Sequence, residues 1–181
     1  MKTFIYLFVG LFALTACKQT DNPPSWDNLA NDGTIAIKRA DKNWRNVSLT
    51  STTSPIGGYL NISVQKLEGR ERHKLNLQFI PKEIGTHPIC LDNKINEEDP
   101  LTITHIMAYY SSSFPDDVWI GRYTCIETEK NYFTVSDYDA DTGTISGSFK
   151  VHLKATYQSP TQKTEEFITF ESEKFVVQVQ D

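Results

Sequence analysis

Residues 144–154 read TISGSFKVHLK, and the fold turns on how this stretch is read. Ile145, Phe149, Val151 and Leu153 share one face, while Ser146, Ser148, Lys150, His152 and Lys154 share the other. Successive side chains of a β-strand point to opposite sides of the sheet, so period-two alternation marks a strand with one face buried and one wet. The same period recurs upstream. In YLNISVQKL (59–67), Leu60, Ile62 and Val64 alternate with Asn61, Ser63 and Gln65. In KLNLQFI (74–80), Leu75, Leu77 and Phe79 alternate with Asn76 and Gln78.

Working outward, the pattern predicts further strands at 34–38, 44–49, 86–91, 101–108, 119–126 and 131–137, and two runs within 165–179. The breaks between them, SPIGG, LEGRER, PKEIG, DNKINEEDP and YQSPTQ, are rich in turn-forming residues. No stretch of ten residues sustains a helical stripe. Short strands with regular turns and two-sided patterning imply an all-β fold, an antiparallel β-sandwich, with a closed β-barrel as the alternative.

The N-terminus reads differently. MKTFIYLFVGLFALTAC carries one basic residue, Lys2, then an apolar run from Phe4 to Leu14, and small residues before Cys17. The run is too short to span a bilayer but suits the apolar region of a secretory signal. Small residues ahead of a cysteine fit a bacterial lipobox, with cleavage after Ala16 and lipid on Cys17. This gives a lipoprotein signal peptide over 1–16, a lipid-anchored flexible tether over 17–33, and a β domain over 34–181. The tether, KQTDNPPSWDNLANDG, is polar and has neither period. At roughly 0.8 kcal/mol per buried methylene, several acyl chains on Cys17 would hold the domain at a membrane. Lys18 directly after the lipid cysteine points to the outer membrane within the cell envelope.

Charge excludes one class of partner. The 181-residue chain has a net charge of −5, and loss of Lys2 makes it one unit more negative. With no basic cluster in the sequence, nucleic-acid binding is not expected. Two cysteines remain beside Cys17. Cys90 and Cys125 form an even pair in an oxidising compartment and either cross-link or stay as separate buried thiols. Closing the roughly 36-residue loop between them would contribute about 3–4 kcal/mol in the chain-entropy model.

Several of these pieces occur in the same order in small lipoproteins of Bacteroidota grouped as domains of unknown function, which this chain resembles. The carrying elements are the lipobox, the Asx-rich tether, the strand TIAIKRADKNW ending at Trp44, and the looser EIGTHPICL. The polar hairpin into ISGSF (145–149) and a final hairpin into ESEKF (171–175) complete them. The final element lacks the family's glycine, and the middle tyrosine is replaced. The resemblance implies a surface or periplasmic β-sandwich lipoprotein and carries over no activity and no functional residues.

Two stretches invite a site. In VSDYDADTGTISGSF (135–149), Asp137, Asp139 and Asp141 alternate like the acids of a calcium loop. An EF-type loop, however, needs glycine at its sixth position and a bidentate Glu at its twelfth. Counted from Asp137 those positions hold Thr142 and Ser148, so the stretch reads as a hairpin turn, with a non-EF calcium site as the lesser alternative. In MAYYSSSFPDDVWIGRY (107–123), Tyr109, Tyr110, Phe114 and Trp119 surround a loop holding Asp116 and Asp117. Rings on the rim of a β-fold suit stacking on sugars, with the acids bonding hydroxyls; the plainer alternative is that the rings fill the core edge.

Enzyme signals are poor. Ser63 and Lys66 match S-x-x-K, but that pattern needs a helix start and Ser63 lies in mid-strand. His73, His87, His105 and His152 have no metal-ligand spacing, and no cofactor motif occurs. The expectation is a non-enzymatic, lipid-anchored binding or accessory domain for glycan or protein. The alternatives are a purely structural envelope protein and, behind it, a hydrolase built from distant carboxylates.

Overall fold

Alternation fixes which way each side chain points, and hydrogen-bond register then fixes which side chains meet. The computed structural model describes residues 29–89, 105–115, 118–128 and 130–180. The segment expected to be a signal peptide (1–16), Cys17, most of the expected tether, Cys90, Asp116 and Asp117 lie outside the described residues. In chain order the strands are β1 (Gly33–Arg39), β2 (Lys42–Asn43), β3 (Ser48–Thr53), β4 (Tyr59–Glu68), β5 (Glu71–Pro81) and β6 (Gly85–His87). They continue as β7 (Met107–Ser113), β8 (Trp119–Cys125), β9 (Tyr132–Asp139), β10 (Thr144–Gln158) and β11 (Phe167–Gln180). No helix occurs among the described residues, as expected of an all-β chain.

The strands form one sheet that closes on itself. β11 pairs with β3, and the ladder runs on through β4, β5, β7, β8 and β10 back to β11. All these pairings are antiparallel except β11 with β3, which is parallel and rests on Val179↔Ser51 and Gln180↔Thr52. The two layers expected of a sandwich are therefore the opposite walls of a single, barrel-like sheet. β1 and β2 extend it along the free edge of β11, and β9 and β6 along that of β10.

Closure explains the core. Leu49, Val64, Leu75, Tyr110, Tyr123 and Ala155 lie side by side around the inner wall, one from each of β3, β4, β5, β7, β8 and β10. Along β10, Ile145 faces Val177, Val151 faces Phe170 and Leu153 faces Ile168, and all six are buried. Phe133, Phe149 and Phe175 pack together towards the Thr144 end of β10, with centroids 5.5–6.2 Å apart. Each fully buried ring of this size contributes roughly 1.5–3 kcal/mol.

Four expectations change in detail. The domain starts before Thr34: the Asn31 side chain accepts a bond from the Leu49 amide, and Asp32 exchanges backbone bonds with Leu49 and Gln178. The strand expected at 44–49 is broken because Asn46 takes φ 57°, and Trp44 turns inward. Phe79, expected inward with Leu75 and Leu77, sits at a bulge with φ 61°, and Ile80 takes the buried place. A positive φ is a genuine strain for a bulky residue. The ESEKF stretch is no hairpin but an irregularity within the single strand β11, where register shifts against both β1 and β10.

ISGSF is likewise a packing device. Register slips on both sides of Gly147, against β9 and against β11. A Cβ there would lie 1.9 Å from the Thr134 carbonyl oxygen and 3.0 Å from Phe175 Cζ. Because the nearest atom is backbone, it cannot rotate aside. Gly147→Ala is expected to destabilise the fold by about 3 kcal/mol, the upper end for overpacking. Urea denaturation checks this, with Gly57→Ala, whose Cβ would meet nothing within 4 Å, as the control.

Candidate functional site

The outer face of β7, β8, β10 and β11 brings aromatics together that are far apart in sequence. Directly paired residues of an antiparallel ladder project to the same face. One outward row runs Asn76, Tyr109, Thr124, Lys154 and Phe167. The next runs Lys74, Ser111, Arg122 and Tyr157, and a third runs Arg72, Ser113 and Trp119. Trp119 is 40% exposed, Tyr157 43% and Phe167 53%. Arg122, Thr124 and Lys154 are also exposed, whereas Tyr109 is half-buried and Asn76 buried, so the open platform lies over β8, β10 and the start of β11.

Two cations are seated on these rings. The Arg122 guanidinium lies 4.9 Å from the Trp119 ring centroid, and Lys154 Nζ 5.7 Å from that of Phe167. At exposed positions such contacts contribute about 0.5–1 kcal/mol and restrict the side chain. Beside the platform a shallow cleft of about 390 Å³ is lined by Lys154, Tyr157, Gln158, Thr164 and Glu166.

The aromatic loop expected from the sequence is only partly assembled. Trp119 is exposed as expected, and Phe114 is intermediate in burial. Tyr110 is not part of the surface: it is 1% exposed, because it and Tyr109 are neighbours in β7 and so point to opposite faces. Asp116 and Asp117 lie outside the described residues. Tyr157 and Phe167 were missed because each is isolated in the sequence and only register carries them to Trp119.

The aspartates form a turn. Asp139 Oδ1 accepts bonds from the amides of Asp141 (2.9 Å) and Thr142 (3.2 Å). The Thr142 side chain and then these amides hold the Asp139 carboxyl below its usual range. Gly143, with φ 66°, completes the reversal into β10. Asp137, Asp139 and Asp141 are exposed, and no group of three candidate metal ligands occurs among the described residues. Ser63 and Lys66 point to opposite faces of β4, since Ser63 pairs with Asn76 and Lys66 with His73. Cys125 ends β8 and is disulfide-bonded. Its expected partner, Cys90, lies outside the described residues.

A second cluster, also absent from the sequence reading, fills one end of the barrel. His73 is 4% exposed and its Nδ1 lies 2.7 Å from the Tyr110 hydroxyl. Its Nε2 faces Glu68 Oε2 at 3.3 Å and Glu71 Oε2 at 3.6 Å without the alignment of a hydrogen bond. Carboxylates only accept, so the neighbours place the ring proton on Nε2, and the Tyr110 hydroxyl donates to Nδ1. Trp44 packs against Phe170 with centroids 5.1 Å apart, and Arg39 lies 5.4 Å from the Tyr110 ring.

Burial, and then the Arg39 charge, lower the His73 pKa to about 4. Burial raises that of Tyr110 well above its usual value. Efficient acid–base catalysis wants a pKa near the working pH, and both groups are displaced away from neutrality. At neutral pH both groups are uncharged.

No family model, curated protein or solved structure matches the chain.

The His73 shift has a consequence for stability. Its folded pKa lies below the ordinary 6.5, so the unfolded chain takes up the proton first. Stability is full above about pH 6.5 and falls as pH drops towards 4, with a loss of about 3 kcal/mol from this group. Urea unfolding between pH 7 and pH 4.5 measures it. His73→Gln should start less stable and show a flatter pH dependence; equal slopes in the two proteins would refute the assignment.

Proposed function

We propose that the chain is a lipid-anchored, non-enzymatic binding module of the cell envelope, and that it takes glycan on the outer platform of β8, β10 and β11. The observation that carries this reading is the diagonal of Trp119, Tyr157 and Phe167, one ring from each of three successive rows, all exposed on strands whose spacing backbone hydrogen bonds fix. Sugar rings present flat C–H faces that stack on aromatic rings, and their hydroxyls need polar partners beside those rings. Thr124, Ser111 and Ser113 supply such partners in the same rows. A platform already rigid before the ligand arrives loses little further freedom on binding.

The anchor rests on the lipobox ending at Cys17, with Lys18 favouring the outer membrane. The lack of a group poised near neutral pH in the His73–Tyr110 cluster supports a binding role over a hydrolytic one.

Fluorescence tests the platform, because Trp44 is buried while Trp119 is open, and Trp26→Phe removes the third tryptophan of the chain. Soluble envelope, plant and host polysaccharides should shift or quench the emission of the full chain. Trp119→Ala combined with Tyr157→Ala should weaken binding at least tenfold, about 1.4 kcal/mol. A panel that leaves the emission unchanged would favour a purely structural role. Separately, metabolic labelling with palmitate should mark the wild-type chain and not Cys17→Ala; equal labelling would remove the anchor.

A further inference from the structure

Resting on that glycan reading, we propose that the ligand is acidic, a polysaccharide carrying carboxylate or sulfate groups. The chain is acidic, with 23 Asp and Glu against 18 Lys and Arg. The platform inverts this balance. Arg72, Lys74, Arg122 and Lys154 occupy outward positions of β5, β8 and β10 around the rings. No Asp or Glu stands at a described position in these three rows. The nearest acid in chain order is Glu166, which precedes Phe167 and lines the adjoining cleft.

Charge pairing elsewhere sharpens the contrast. Lys38, Arg39, Lys66 and Lys150 each lie within ion-pair distance of a carboxylate, from Glu173, Glu165, Glu68 and Glu171 respectively. Among the described residues Arg122 and Lys154 form no such pair, and their contacts are with rings instead. Lys74 has its pKa lowered by burial and then by the Arg72 charge, which places the two cations close together. An anionic group arriving beside Arg122 and Lys154 would supply the counter-charge that neither has among the described residues. Its sugar ring would at the same time meet Tyr157, which pairs directly with Arg122. The Arg122 guanidinium, 4.9 Å from the Trp119 ring centroid, carries the planar N–H fork that bidentate recognition of carboxylate or sulfate requires.

The test compares glycans that differ in charge alone. Polygalacturonate and its fully methyl-esterified form share a backbone, as do heparin and its desulfated form. The full chain should bind the acidic member of at least one pair roughly tenfold more tightly at low salt. The preference should disappear by about 1 M salt, where screening falls to about 3 Å. Arg122→Gln with Lys154→Gln should abolish the preference while circular dichroism and thermal unfolding stay unchanged.

Equal binding of acidic and neutral members, with loss only in Trp119→Ala, would overturn the acidic ligand and leave the aromatic platform standing. No binding to any glycan would overturn both. Tighter binding to single-stranded DNA, or to vesicles containing phosphatidylglycerol, would also overturn the proposal by showing a different polyanion as the partner.

Discussion

The pairing of β10 with β11 sets each buried side chain of Ile145 to Leu153 against one from Ile168 to Val177, and the rest of the sheet is hung on this ribbon. Each of its free edges is used twice. β10 takes β9 along Thr144–Lys150 and β8 along Leu153–Gln158. β11 takes β1 along most of its length and β3 only at Val179 and Gln180. Such handovers need the strand to bend, and bulges supply bends by inserting a residue and increasing local twist. Gly147, with register shifts on both flanks, is where β10 bends. The missing side chain lets the Thr134 carbonyl come close enough for β9 to stay paired through the turn.

The alternation in 144–154 was legible and correct: every residue assigned inward is buried and none of those assigned outward is. Closure was not legible, because it depends on the two residues that join β11 to β3, and nothing in their chemistry announces a partner so distant. Phe79 shows why strict alternation fails locally. One inserted residue reverses the facing of everything after it, and only Leu60 meeting Ile80 across the ladder restores the pattern. Tyr109 and Tyr110 carry the opposite lesson. Grouping them as one surface set ignored the very period that identified the strands. The platform itself could not be read, since Trp119, Tyr157 and Phe167 come from three segments that register alone aligns.

The barrel wall separates two kinds of polar chemistry. Inside, the Tyr110 hydroxyl bonds both His73 Nδ1 and Ser112 at one end, and burial keeps the imidazole uncharged. Outside, Arg122 and Lys154 rest on rings. The inner cluster spends its hydrogen-bonding capacity on the fold, whereas the outer one leaves its donors directed at solvent. The same β7 and β8 backbone supports both, so displacing Tyr110 inside would move Tyr109 and its row outside.

The parallel join between β3 and β11 links segments at opposite ends of the domain. A chain is made from its N-terminus, so β3 is finished long before its partner exists. Until β11 emerges, β3 presents one unpaired edge and the inner wall is open along a full side. The domain therefore cannot mature piece by piece during synthesis; its last strand acts as the latch, and assembly is a late, all-at-once event that leaves earlier strands exposed to chaperones or to one another.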